Sequence, residues 1–198
     1  SDGHLLIIDA ENCQVQKFGE NGTFIDAYGS CGTGDLEFDF EHASGDPDGG
    51  IDIDSDGNIY IADTGNDRVV KLNSTGGFVK TIGTAGTGDG EFTTPVAIEI
   101  DSNDNLWVTD EDDSGKIVKY STEGVYGNLE ISSGITKPAS VASNSTHLVV
   151  VDTNDDSVKT YKISDGNAAP KATFGGNGSG TGQLYNPVDV ELDSSGNI

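Results

Sequence analysis

The chain has no methionine, one tryptophan, five prolines and three histidines in 198 residues. Residue 1 is therefore not a translation start, and the expectation is a mature product or a fragment whose signal or anchor would lie outside it. No apolar run approaches the ~20 residues that span a bilayer, so direct membrane insertion of this segment is not expected. Basic residues are scarce, 10 against 34 acidic, for a formal charge of -24. Phosphate backbones repel such a surface, which argues against nucleic-acid binding. The same charge keeps a chain soluble, attracts cations and suits high salt. Three histidines undersupply acid–base catalysis, and zinc needs three or four converging ligands. His4 and His147 hold the same repeat position, with His42 apart.

Only 33% of residues are hydrophobic, while 28 are glycine. That balance describes many short strands joined by tight turns. The dominant feature is a repeat. Residues 7–38, IIDAENCQVQKFGENGTFIDAYGSCGTGDLEF, align without a gap on residues 61–92, IADTGNDRVVKLNSTGGFVKTIGTAGTGDGEF, at a shift of 54 residues. Asp9 falls on Asp63, Val15 on Val69, Lys17 on Lys71 and Gly22 on Gly76. NLWVTDEDDSGKIVKY and HLVVVDTNDDSVKTYKI repeat the apolar run, the Asp and the polar turn, and PVAIEID recurs as PVDVELD. The units run approximately 1–54, 55–101, 102–143 and 144–193, and 194–198 starts another. Each reads as four strands: one like IEID ending in a D-S-x-x-N turn, one like NIYIAD, one like RVVKL, and one like FVKTIG before a Gly-rich loop. Alternating β-branched and aromatic residues between Gly, Asn and Asp turns are the warrant. A four-stranded meander cannot bury both faces alone, whereas radially stacked meanders can, so the expected fold is an all-β propeller of four-stranded blades.

The DSDGNIYIADTGNDRVVKL pattern followed by GTGDGEFTTPVAIEID resembles the NHL-repeat family of β-propellers over nearly the whole chain. The resemblance implies a rigid platform, commonly of six blades, so about four repeats suggest an arc of a larger or assembled propeller. Open repeat ends would invite protein partners or self-assembly. Such propellers include an amidating lyase with a His-liganded metal and RNA-binding members. Neither role transfers to a chain with so few His and basic residues.

Several residue sets carry candidate chemistry. Asp52, Asp54, Asp56 and Asp63 match the start and twelfth position of a calcium loop. The equivalent turns EIDSNDN and ELDSSGN lack the full carboxylate set, and alternate strand residues point to opposite faces. A plain hairpin turn is the preferred reading, with calcium as the alternative and no other cofactor expected. Asp9, Asp63, Asp110 and Asp152 each end a second strand and read as turn caps. Asp52, Glu99 and Glu191 occupy innermost strands and would line an acidic channel. Arg68, Lys71, Lys17, Lys116 and Lys119 fall on third strands toward the outside. Cys13 and Cys31 align with Asp67 and Ala85 at one end of a single blade, so a disulfide is expected and points outside the cytosol. Asn21, Asn73, Asn144 and Asn177 begin N-x-S/T sequons in turn-like stretches. Tyr28, Tyr126 and Tyr185 would be the exposed aromatics if one rim captured a carbohydrate or peptide.

The reading is a non-catalytic extracellular or cell-surface scaffold, as in a surface layer, adhesin, filament or ectodomain. The alternative is a secreted lyase or hydrolase with a metal-assisted site at the channel mouth.

Overall fold

The computed structural model describes residues 3–41, 48–111, 115–193 and 195–198, which leaves His42 outside the described residues. Strands β1 (His4–Asp9), β2 (Gln14–Gly19) and β3 (Phe24–Tyr28) form the first sheet, followed by the short parallel pair β4 (Ser30–Cys31) and β5 (Glu37–Phe38). The second sheet is β6 (Ile51–Ile53), β7 (Ile59–Asp63), β8 (Arg68–Leu72) and β9 (Phe78–Ile82). The third is β10 (Pro95–Ile100), β11 (Asn105–Asp110), β12 (Lys116–Ser121) and β13 (Tyr126–Ile131). The fourth is β14 (Pro138–Ser143), β15 (His147–Asp152), β16 (Ser157–Lys162) and β17 (Ala172–Gly175). Strand order follows chain order and neighbours are antiparallel, as in a propeller blade. Each four-stranded sheet takes its first strand from the end of one sequence unit and the other three from the next.

Strand periodicity explains the stacking. Along β7, Ile59 and Ile61 pack with Val15, Tyr28 and Phe38 of the first sheet and its following loop. Tyr60 and Ala62, pointing the other way, pack with Ile98, Leu106, Val108 and Tyr120 of the third sheet. A strand buried on both faces reads as a continuous apolar run, which is why β7, β11 and β15 lack polar alternation. The third and fourth sheets share Trp107, Ile117, Ile131, Leu148, Val150 and Tyr161. Ala142, Val149 and Val151 on the far face of the fourth are covered by Val190 with Leu184 and Leu192.

Antiparallel order also sorts the connections into two rims. Turns after first and third strands lie on one rim, here the turn rim. Turns after second strands lie on the other, with the Gly-rich loops that link sheets, here the loop rim. Strand β1 corresponds to a second strand. Among the described residues, no helix is long and apolar enough to cross a membrane.

Candidate functional site

On the turn rim, the D-S-x-x-N hairpins are built by their first aspartate. Asp54 Oδ1 accepts the N–H groups of Asp56 (3.1 Å) and Asn58 (2.8 Å), and Asp54 Oδ2 accepts from Asn58 Nδ2 and the Tyr60 hydroxyl. Asp101 repeats the network with Asn103, Asn105 and the Trp107 indole, and Asp193 with Ser195 and Asn197. These turns form with or without a carboxylate at the position of Asp56. Burial works to raise the Asp54 pKa, but the bonds from Asn58 and Tyr60 and the nearby Lys71 outweigh it and hold the group below the usual range. The four sequence candidates for calcium are not brought to one centre. Asp52 accepts from Ile53 and Ile100, Asp54 serves its turn, and Asp63 lies at the opposite end of β7 on the loop rim. No group of three or more His, Cys, Asp or Glu among the described residues is placed to hold a metal ion.

On the loop rim, the aspartates that end second strands reach farther than a local cap. Asp63 accepts the Asp39 N–H at 2.7 Å, Asp110 that of Thr94 at 2.6 Å, and Asp152 that of Thr136 at 2.8 Å. Each one pins the segment entering its own sheet. A cation on the following strand completes the clamp. Arg68 Nε meets Asp63 Oδ2 at 2.6 Å, and its terminal nitrogens donate to the carbonyls of Thr33, Gly34 and Glu37 in the Gly-rich loop. Lys159 meets Asp152 at 2.5 Å, and Lys116 lies 4.0 Å from Asp110 and donates to the Gly88 carbonyl. Glu37 and Glu91 fold back to accept N–H groups of their own GTGD turns.

The expectation that third-strand cations lie on the outside needs correction. Lys71 and Lys159 are buried, and Arg68 is mostly so. Lys71 sits over the Tyr60 ring and donates to the Thr122 carbonyl, and Lys119 sits over Trp107. The signal available in sequence was the register: Asp63 lies directly opposite Arg68, and Asp110 opposite Lys116.

Cys13 and Cys31 are joined, with Cα atoms 4.9 Å apart. The bridge borders a cavity of about 300 Å³ on the loop rim, with Phe38, Phe40 and Asp39. Asn21, Asn73 and Asn144 lie in turns on the turn rim, where each side-chain oxygen accepts the N–H two residues on. Asn177 is on the loop rim and donates through Nδ2 to Asp156. Tyr28 and Tyr126 pack into inter-sheet cores, and only Tyr185 of the three tyrosines is exposed, at 78%. His147 bonds Thr146 within its turn, whereas His4 lines a second cavity.

That cavity, about 600 Å³, opens on the turn rim between the first three sheets. Leu6, Ile53, Ile59 and Ile100 form its apolar wall, with Asp56 and Lys17 among its charged residues. Asp52 lies on β6 and Glu99 on β10, both half-buried, whereas Glu191, expected on an innermost strand, is exposed and lies outside the strands. Burial pushes the Glu99 carboxyl up to about 7, and the charges of Asp52 and Glu191 add to the push. Burial also raises Asp52, against the two N–H groups it accepts. Glu99 accepts from Ser143, a partner no charge pattern announces.

Residues 51–136 match a family model described as a 6-bladed beta-propeller. No curated protein matches the sequence. Among solved structures, a catalytically inactive virginiamycin B lyase from Staphylococcus aureus, crystallised with quinupristin, is similar at 14% identity and a TM-score of 0.67, over 97% of this chain and 57% of that one. A streptogramin B lyase is similar at 15% and 0.63, over 99% and 72%. A protein named as a gluconolactonase is similar at 14% and 0.69, over 98% and 66%. This chain thus spans little more than half of the first of these. At such identities the likeness is one of fold. The architecture is that of a β-propeller, with four-stranded antiparallel sheets stacked face to face.

Proposed function

We propose that this chain is an NHL-type propeller working outside the cell as a non-catalytic scaffold for protein partners or for self-assembly. One observation carries the reading: the charges that recur with the repeat are spent on the framework. Asp63, Asp110 and Asp152 bind backbone, Arg68 and Lys159 neutralise them, and Asp54 and Asp101 build turns. What recurs is thus a set of joints, suited to holding a surface in place. The Cys13–Cys31 bridge fits an oxidising compartment. The turn-rim positions of Asn21, Asn73 and Asn144 leave room for glycans, and the formal charge of -24 disfavours nucleic acid.

A second reading, a secreted lyase or hydrolase, is favoured by the cavity of about 600 Å³ on the turn rim, whose apolar wall and charged edge suit a small molecule. Sedimentation velocity over a range of concentrations, beside turnover assays with quinupristin and gluconolactone, separates the two. Concentration-dependent association without turnover is expected. Turnover by a strictly monomeric chain would overturn the scaffold reading.

A further inference from the structure

Two charges beside the turn-rim cavity are not tied into the framework. The first is Lys17 on β2. It aligns with Lys71 on β8 and lies opposite Leu6, as Lys71 lies opposite Tyr60. Lys71 is buried, sits over the Tyr60 ring and donates to the Thr122 carbonyl in the β12–β13 turn of the next sheet. Lys17 has leucine where Lys71 has tyrosine, and among the described residues its ammonium has no hydrogen-bond or ion-pair partner. Leu6 packs with Ile59 and Ile61, so Lys17, directly across the ladder, shares the face turned to the second sheet.

The second is Asp56. It holds the place in its turn where the third sheet has Asn103 and residues 193–197 have Ser195. Each of these residues gives the turn only its N–H. The Asp56 carboxylate is therefore not required by the turn; it is exposed and has no partner among the described residues. The other acids of the cavity are committed. Asp54 and Asp101 build their turns, and Asp104 accepts the Ser55 N–H at 3.1 Å and hydroxyl at 2.6 Å.

The free cation thus comes from the first sheet and the free carboxylate from the second. The apolar wall of the same cavity is Leu6 on β1, Ile53 on β6, Ile59 on β7 and Ile100 on β10. Ile53 is 41% exposed, which is apolar surface that a ligand would remove from water. A volume of about 600 Å³ suits a small molecule. We propose that this cavity binds a small apolar zwitterion, a hydrophobic amino acid or dipeptide, with its ammonium on Asp56, its carboxylate on Lys17 and its side chains on the apolar wall. The proposal shares with the lyase reading only that a small molecule occupies the cavity, and it needs no turnover.

Isothermal titration calorimetry with L-leucyl-L-leucine tests this, beside the N-acetylated and the C-terminally amidated dipeptide. Saturable binding is expected, weakened roughly tenfold by either blocking group, because each removes one charge-assisted contact. Two variants assign the ends. Asp56→Asn copies Asn103 and so keeps its turn. It should weaken the free dipeptide as acetylation does and make acetylation indifferent. Lys17→Gln should do the same for amidation. Thermal midpoints close to that of wild type would show that both variants fold. No saturation by about 10 mM dipeptide, equal binding of the free and blocked forms, or variants that bind as wild type does would overturn the proposal. The turnover assays with quinupristin and gluconolactone bear on the lyase reading alone, so each can fail without the other.

Discussion

Residues 7–38 and 61–92 align without a gap, and their strands β1–β3 and β7–β9 follow the same path. The chemistry holding them differs. In the second sheet Asp63 is fully buried and gripped by Arg68, Asn66 and the Asp39 N–H. In the first, Asp9 is held by the amides of Asn12 and Gln16, and a disulfide stands where the second sheet has Asp67 and Ala85. Burial differs as well. Leu5 and Ile7 are 51% and 49% exposed, whereas their counterparts Ile59 and Ile61 are 2% and 0%. A repeat therefore dictates the course of the chain, while the neighbour on each face decides which side chains become core and which charges need a partner.

The largest effect should come from breaking the second sheet's clamp. Arg68→Ala leaves Asp63 buried without its cation and strands three loop carbonyls, at a cost of about 4 kcal/mol. Gln16→Ala in the first sheet should cost about 1 kcal/mol. Urea unfolding of both variants, followed by Trp107, checks the ratio, and equal losses would mean that the two joints are equivalent. Next come two matched glycines. Gly22 and Gly76 share a left-handed backbone, φ 78° and 81°, yet a Cβ on Gly22 meets nothing within 4 Å whereas one on Gly76 would run into the Tyr28 ring. Gly76→Ala should cost about 3 kcal/mol from strain plus overlap, and Gly22→Ala about 1 kcal/mol from strain alone. Thermal midpoints in one buffer suffice for that pair. Replacing Cys13 and Cys31 together by serine should cost roughly 2 to 3 kcal/mol, through the freedom returned to the unfolded chain. A reductant should reproduce the loss in wild type and do nothing further to the variant.

Much of the framework is legible in the amino-acid sequence. The strands, the D-S-x-x-N turns and the Cys13–Cys31 pairing follow from aligning the repeat, because equivalent positions of a stacked unit share a backbone path. The shared inner-strand position of Asp52 and Glu99 is legible for the same reason. The clamp is not. Asp63 reads as a local cap, yet its N–H partner is Asp39, 24 residues earlier and in the loop from the preceding sheet. Arg68 and Lys71 read as surface charge because composition alone cannot tell an exposed cation from one pressed against a buried carboxylate. Tyr28 and Tyr126 read as a rim platform because an aromatic on a fourth strand faces solvent or the next sheet according to where that sheet lies.

By itself, then, the sequence determined the local geometry: period-two strands, turns whose first aspartate captures nearby N–H groups, and a disulfide between two adjacent turns. These depend on residues a few positions apart, or on antiparallel neighbours in one meander. The tertiary structure alone decided which face of each strand is core, and that Asp52 reaches across to the Ile100 N–H and Glu99 to that of Ser143. Those outcomes join groups roughly 50 residues apart along the chain, set only when apolar faces of successive sheets close on one another and exclude water.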